Sequence, residues 1–494
     1  MSKVCFDNDL YIKLQSERIL KRIDEFDNKL YLEFGGKLFD DFHASRVLPG
    51  FDPNVKIKLL QVLKDKLEMV FVISAPAIVR NKMRADTGIT YGNDVLRLMS
   101  EMRKRGIYVS SIVITQYEDQ PAADAYIKKL EMMGEKVYVH NLTKGYPSNI
   151  NVIVSKEGYG ANAYIETTRP LVIVTAPGPA SGKLGTCLCQ LYHEYQRGVK
   201  AGYAKFETFP VWNLSLQHPV NIAYEVATVD LKDSNMVDSL HLDSYGDMSV
   251  NYNRDVEVFP VAKDILEKII DNPDIYMSPT DMGVNAVGFA ITDDQAVCEA
   301  SYQEVVRRYY KARCEYKLGT ASREAPLRIE EFMAELEITV DKRAVVKPAL
   351  EKAKACNVPA VALMLEDGRI ITGKQNELMD ASASVILNSL KALCGISNDT
   401  LLISPKALEP IIKLKTDALK VNNILLNLSE ILIALSASAM SSEDAQLALS
   451  MMSKLRGCEA HSTLMLIKED EDIFRRLGIN LTCEPEFAEK NFFI

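Results

Sequence analysis

Apolar and polar positions along the chain follow two periods, one suited to strands and one to helices, and the two trade places repeatedly. After an amphipathic start, 68–75 (EMVFVISA) is a short apolar run flanked by turn signals, and 92–105 returns to helical spacing. The pattern recurs as a strand at 107–115, a helix at 122–133 and a strand at 136–139. Such alternation predicts a parallel sheet with crossover helices. A further apolar run, LVIVT at 171–175, leads through a glycine turn into a helix ending near Arg197.

From 256 to 336 helical spacing dominates, in VAKDILEKII, AVCEASYQEVVRRYYKARCEY and IEEFMAEL, and 319–326 (GTASREAP) reads as a connector. Beyond 345 the alternation restarts with a hairpin at 361–372 around Asp367-Gly368, a helix near 381–393 and a strand at 400–404. The apolar run 424–440 is broken by Asn427, Ser429 and Glu430 and falls short of the roughly 20 clean residues of a membrane span, so it predicts a buried core helix. The fold class is therefore α/β and multidomain. It comprises a parallel-sheet, P-loop-like domain over 1–255, a helical subdomain over 256–344 and an α/β domain over 345–494.

Length agrees, because single cores stop growing near roughly 250–300 residues and this chain has 494. Hydrophobic residues at 47% exclude a disordered chain, and a net charge of -9 excludes the clustered basic footprint of a nucleic-acid binder. Nine cysteines without a paired CxxC read as reduced thiols, and the charged N-terminus lacks the apolar core of a signal peptide. A cytoplasmic protein without a membrane partner is expected.

The sharpest chemical clue is TAPGPASGKLGT at 175–186. A phosphate is held by backbone N–H donors at a helix N-terminus, where the helix dipole also favours negative charge. Gly178, Gly182 and Gly185 supply permissive backbone, Ser181 and Thr186 supply hydroxyls, and Lys183 supplies a cation. The order strand, glycine turn, Gly-Lys, helix is what a P-loop requires, and its ligand would be ATP with magnesium or a phosphorylated small molecule. Two departures stand out: Gly178 and Gly182 enclose three residues where the motif has four, and Leu184 occupies the position of the magnesium-binding Ser or Thr. The alternative is an ordinary strand-to-helix turn whose glycines serve packing.

The densest polar stretch is 235–260, where His241 suits a general acid or base, Asp243 its partner or a metal ligand, and Arg254 an anion clamp. The alternative there is a solvated loop. In YMSPTDMGVNAVG at 276–288, Ser278 or Thr280 can cap a helix with Pro279 and Asp281 suited to its first turn, or else Thr280, Asp281 and Asn285 face a ligand. The segment 32–51, with Gly35, Gly36, Lys37, His43 and Arg46, reads as a hairpin and a loop or as a second anion site. Around His461 and Cys483 no spacing matches a zinc set, and they read as a satisfied histidine and a buried thiol; no metal is expected, and His140, His193 and His218 receive no role.

Taken together, LEFGGKLFDDFHASRVLPGF, TAPGPASGKLGT, NMVDSLHLDSYGDMSVNYNRDVEVFP, SPTDMGVNAVG and EAHSTLM with FRRLGINLTCEP resemble a bacterial family, uncharacterised protein family 0371, or domain of unknown function 1846. The resemblance spans nearly the whole chain and implies a cytoplasmic bacterial protein of three structural parts. Separately, 358–393 followed by LLISPKALEPIIKL looks like the cytidine deaminase arrangement of a hairpin, a helix and a strand ending at the zinc thiolates. Here Met379, Asp380, Ala381 and Ser382 open the helix and Pro405 to Glu409 stand at the second motif, so every zinc thiolate is missing. That resemblance implies an architectural role and self-assembly into a homo-oligomer. Two functions are thus in view: an enzyme of phosphoryl transfer or ATP-driven ligation at the glycine turn, and a non-catalytic ligand-binding scaffold.

Overall fold

The computed structural model describes residues 4–84, 87–231, 233–270, 272, 274–420 and 424–488. The first three residues of the charged N-terminal segment, and 271 and 273 in the helix-rich stretch, lie outside the described residues. The chain divides into two compact units, residues 3–225 with 232–300 and residues 226–231 with 301–494.

The first unit is built on β1 (Leu30–Phe34), β2 (Leu67–Ser74), β3 (Val109–Tyr117), β4 (Val137–Asn141), β5 (Leu171–Thr175) and β6 (Gly202–Phe206). A small antiparallel pair, β7 (Asn235–Val237) and β8 (Val250–Tyr252), precedes the two-residue strand β9 (Gly283–Val284). Seven strands form one sheet in the order β4-β3-β2-β5-β1-β6-β9, every neighbouring pair parallel. β2 and β5 are buried at every position, which is why they read as unbroken apolar runs: a parallel sheet is covered on both faces. The expected alternation at 68–139 and 171–197 is present. The segment 32–51, by contrast, makes no hairpin: β1 pairs in parallel with β5 and β6, and its continuation forms the short helix Phe42–Val47.

From β2 the chain moves to β3 and β4 on one side, whereas from β5 it moves to β6 on the other. The order therefore reverses between β2 and β5. Right-handed crossovers running in opposite directions leave a crevice at the carboxyl ends of those two strands, the place where open α/β sheets take ligands.

The second unit carries β10 (Ala360–Met364), β11 (Ile370–Lys374), β12 (Glu459–Ser462) and β13 (Asn480–Cys483) in the order β11-β10-β12-β13. β10 runs antiparallel to both neighbours, and β12 and β13 are parallel. Its core gathers Val361, Leu363, Ile386, Leu390, Ile431, Leu435 and Phe474 from the sheet and the helices Ala381–Cys394, Leu428–Ser438 and Lys468–Leu477. The expected hairpin and the helix after it are both found. The strand expected at 400–404 is not: Ser404 caps the helix Pro405–Lys413 and its own N–H goes to the Ser438 hydroxyl, so Leu402 and Ile403 enter the core without pairing in a sheet. The run at 424–440 yields the helix Leu428–Ser438, opened by a reciprocal cap between Asn427 and Glu430, the same polar residues that interrupt the run. Among the described residues no helix is long and apolar enough to cross a membrane.

Arg343, 1% exposed, holds the parallel pair of this sheet together. Its guanidinium donates to Thr482 Oγ1 at 2.9 Å, to the carbonyls of Ala460 at 2.8 Å and Asn480 at 2.6 Å, and to the Glu459 carboxylate. Glu459 also takes Arg307 at 2.8 Å, so the buried charge is shared between two cations.

Candidate functional site

The glycine turn lies at the carboxyl end of β5 and so at the crevice. Gly182, with φ at +86°, sits where the helix Lys183–Gln196 begins, and no side chain caps that start. The first internal bond runs from the Thr186 N–H to the Gly182 carbonyl at 3.0 Å, and the Thr186 hydroxyl donates to the same oxygen at 2.9 Å. Among the described residues, the N–H groups of Lys183, Leu184 and Gly185 meet no acceptor. Gly185 is exposed, and a Cβ there would touch nothing within 4 Å.

The rest of the turn is closed by its own contacts. A Cβ on Gly178 would stand 2.2 Å from Tyr91 Oη, and one on Gly182 would stand 2.8 Å from Thr115 Oγ1. Thr115 donates to the Ser181 carbonyl at 2.7 Å, and the buried Ser181 hydroxyl donates to the Gly178 carbonyl at 2.9 Å. Arg84 bridges Asp94 at 3.0 Å and the Pro177 carbonyl at 3.3 Å, and the Lys82 ammonium stands 5.0 Å from the centre of the Tyr91 ring. Of the hydroxyls singled out from the sequence, Ser181 and Thr186 thus hold the turn's shape.

Lys183 is mostly buried and faces Glu33 of β1, Nζ to Oε1 at 3.6 Å. Glu33 opens a polar network that the sequence reading missed. It accepts from the Tyr203 hydroxyl at 3.0 Å, and it lies in register with Lys205 of β6. Lys205 contacts Glu207 at 2.9 Å and the Asp255 carboxylate, and Trp212 Nε1 donates to Glu207 at 3.0 Å. Burial alone would lower the Lys205 ammonium, but Glu207, Asp255 and Glu33 outweigh it and hold it above its ordinary value. Burial pushes the Glu207 carboxyl up against the pull of Lys205. Burial and Glu33 likewise raise the Tyr203 hydroxyl. A buried cluster of titratable groups, each pushed up by its surroundings, has the electrostatic character of a functional site.

The three residues read as catalytic do not come together. His241, on the helix Ser239–Tyr245, sets Nδ1 3.0 Å from Ser278 Oγ and 4.0 Å from Asp281 Oδ1. Asp243 is exposed on the same helix and has no partner among the described residues. Arg254, at the start of the helix Asn253–Ile270, pairs with Asp233 at 2.6 Å. In 276–288 the capping role is realised: Ser278 and Asp281 cap each other, while the Thr280 hydroxyl donates to Asp238 at 2.7 Å and Asn285 donates to the Pro210 carbonyl at 2.9 Å. His43 packs against the rings of Phe209 and Tyr224. All nine cysteines are free thiols.

A family model described as domain of unknown function DUF1846, N-terminal, matches residues 4–337, and its C-terminal counterpart matches residues 341–493. A UPF0371 protein of Clostridioides difficile (strain 630) is 55% identical over 501 residues, covering 99% of both chains. UPF0371 proteins of Clostridium botulinum (strain Eklund 17B / Type B) and Clostridium tetani (strain Massachusetts / E88) are each 54% identical over 499 residues, again covering 99% of both chains.

Proposed function

The chain belongs to the DUF1846 family, and we propose that it binds a small phosphorylated molecule, nucleotides included, in the crevice between the carboxyl ends of β2 and β5. The observation that carries this reading is the uncapped start of the helix Lys183–Gln196, which presents three amides without acceptors at the point of strand reversal. Helix N-termini in that position attract anions by hydrogen bonding and by their dipole together. The amides, rather than the Lys183 ammonium, meet the phosphate first, because Glu33 already neutralises that cation. Phosphoryl transfer, or ligation driven by ATP with magnesium, asks Lys183 to exchange Glu33 for a phosphate oxygen. In the same reading the second unit, with Asp380 where the deaminase-like pattern would hold zinc and Ser382 where it would carry the proton-shuttling glutamate, serves assembly into a homo-oligomer.

Gly185→Asp tests the site directly. Its carboxylate enters open space on the first turn, where an acidic side chain suits the helix dipole, so the fold is kept while an incoming anion is repelled. Pyrophosphate, ADP and ATP, each with and without magnesium, are expected to raise the melting temperature of the native protein and of Gly185→Ala but not of Gly185→Asp. At a hundredfold excess over the dissociation constant the gain is about 2.7 kcal/mol. No shift in the native protein, or an undiminished shift in Gly185→Asp, overturns the reading.

A further inference from the structure

Three side chains with unlike donor atoms meet on the segments that follow β6 and β9. His218 immediately precedes the helix Pro219–Ala227, and Asp294 and Cys298 lie one turn apart at the start of the helix Asp294–Lys317. His218 Nε2 is 3.0 Å from Asp294 Oδ1 and 3.6 Å from Cys298 Sγ, and Cys298 Sγ is 4.0 Å from Asp294 Oδ2. The three donors all lie within 4.8 Å of one another.

Donors this close together can share one metal ion. With metal–nitrogen and metal–oxygen bonds near about 2.0 Å and a metal–sulfur bond near about 2.3 Å, tetrahedral angles place sulfur about 3.5 Å from both nitrogen and oxygen, and nitrogen about 3.3 Å from oxygen. The 3.0 and 4.0 Å separations run to the two different oxygens of Asp294, so a turn of that exposed carboxylate brings one oxygen to both neighbours. A catalytic triad does not fit the same atoms, because both Asp294 and Cys298 face one ring nitrogen instead of opposite ones. Burial and the neighbouring Asp294 also push the thiol up to about 11, which disfavours a free thiolate nucleophile.

We propose that His218, Asp294 and Cys298 form a three-ligand site for a divalent cation of the zinc class, with its fourth position open to water. Mixed nitrogen, oxygen and sulfur donors select a borderline-soft ion over magnesium or calcium, which take oxygen ligands. The Asp294 side chain is 71% exposed, so the ion and its water reach the site from solvent. Binding releases the thiol proton. It also moves the imidazole proton from Nε2 to Nδ1, which costs the 3.2 Å bond that Nδ1 now accepts from the Val220 N–H. One local cap bond is lost against three metal–ligand bonds, and uptake weakens as pH falls.

The test is cobalt(II) titration of the reduced, chelator-stripped full chain. One ion per chain is expected, with the thiolate-to-metal charge-transfer absorption that requires a sulfur ligand. Cys298→Ser abolishes that absorption, Asp294→Asn and His218→Ala weaken binding tenfold or more, and Cys394→Ser, at a thiol on another helix, changes nothing. Should Cys298→Ser fail to fold, Asp294→Asn carries the test through its exposed side chain. No bound cobalt, absorption that survives Cys298→Ser, or binding unchanged in Asp294→Asn overturns the proposal.

Discussion

Gly182 and Gly185, three residues apart in one turn, answer to different constraints. Gly182 needs its left-handed backbone and has Thr115 pressed against it, whereas Gly185 lies in an ordinary helical turn with open space beside it. Gly182→Ala is expected to cost about 2 kcal/mol or more, and Gly185→Ala to stabilise by up to about 1 kcal/mol. Urea midpoints of the two variants check this, and equal effects would count against the close packing of the turn. A second residue-scale prediction concerns Asp470. The single Ser382 proton lies between Asp380 Oδ1, at 2.7 Å, and the Asp470 carboxylate, so a second proton is needed to satisfy both. Burial and the Asp380 charge push the Asp470 carboxyl up to about 7 from an ordinary 3.8. The native state thus holds this proton more tightly than the unfolded chain does. Its contribution to stability is full below about pH 4 and is lost as pH rises through about 7, by at most about 1.4 kcal/mol per pH unit. Asp470→Asn should flatten that slope in urea melts between pH 5 and 8, and an unchanged slope refutes the shared proton. At this scale the sequence displayed the glycines and Lys183 but concealed Glu33, Tyr203 and Lys205, whose partners lie far apart in the chain and meet only through strand register.

At the scale of elements, what was legible depended on how each strand satisfies its faces. β2 and β5 are buried at every position and β3 along its middle, and their order with the helices was readable. β1 and β6 carry Glu33 and Lys205 into the same sheet, where charged partners satisfy them, so the apolar pattern breaks where the polar network lies. β9 has two residues and no period to detect. The strand expected at 400–404 failed for a local reason, the Ser-Pro cap that starts a helix at 405. The β12–β13 pair supplies the prediction proper to this scale. Arg343 reaches four acceptors on the two strands with a planar fork, so Arg343→Lys, which keeps the charge, should still cost about 3 kcal/mol in urea unfolding. A lysine variant as stable as the native protein would show that charge alone suffices.

For the molecule as a whole, the strand order has a consequence for how the protein is made. β1 leaves the ribosome before the other strands of its sheet, yet its two neighbours are β5 and β6, whose residues 171–175 and 202–206 are synthesised more than a hundred positions later. Through that interval both of its hydrogen-bonding edges stand open on a nascent chain, and pairings of such long sequence separation form slowly. A strand with the run Leu30, Tyr31, Leu32 and Phe34 is then a ready target for chaperones or for mispairing, and the sheet's centre can close only after β2, β3 and β4 have long been synthesised.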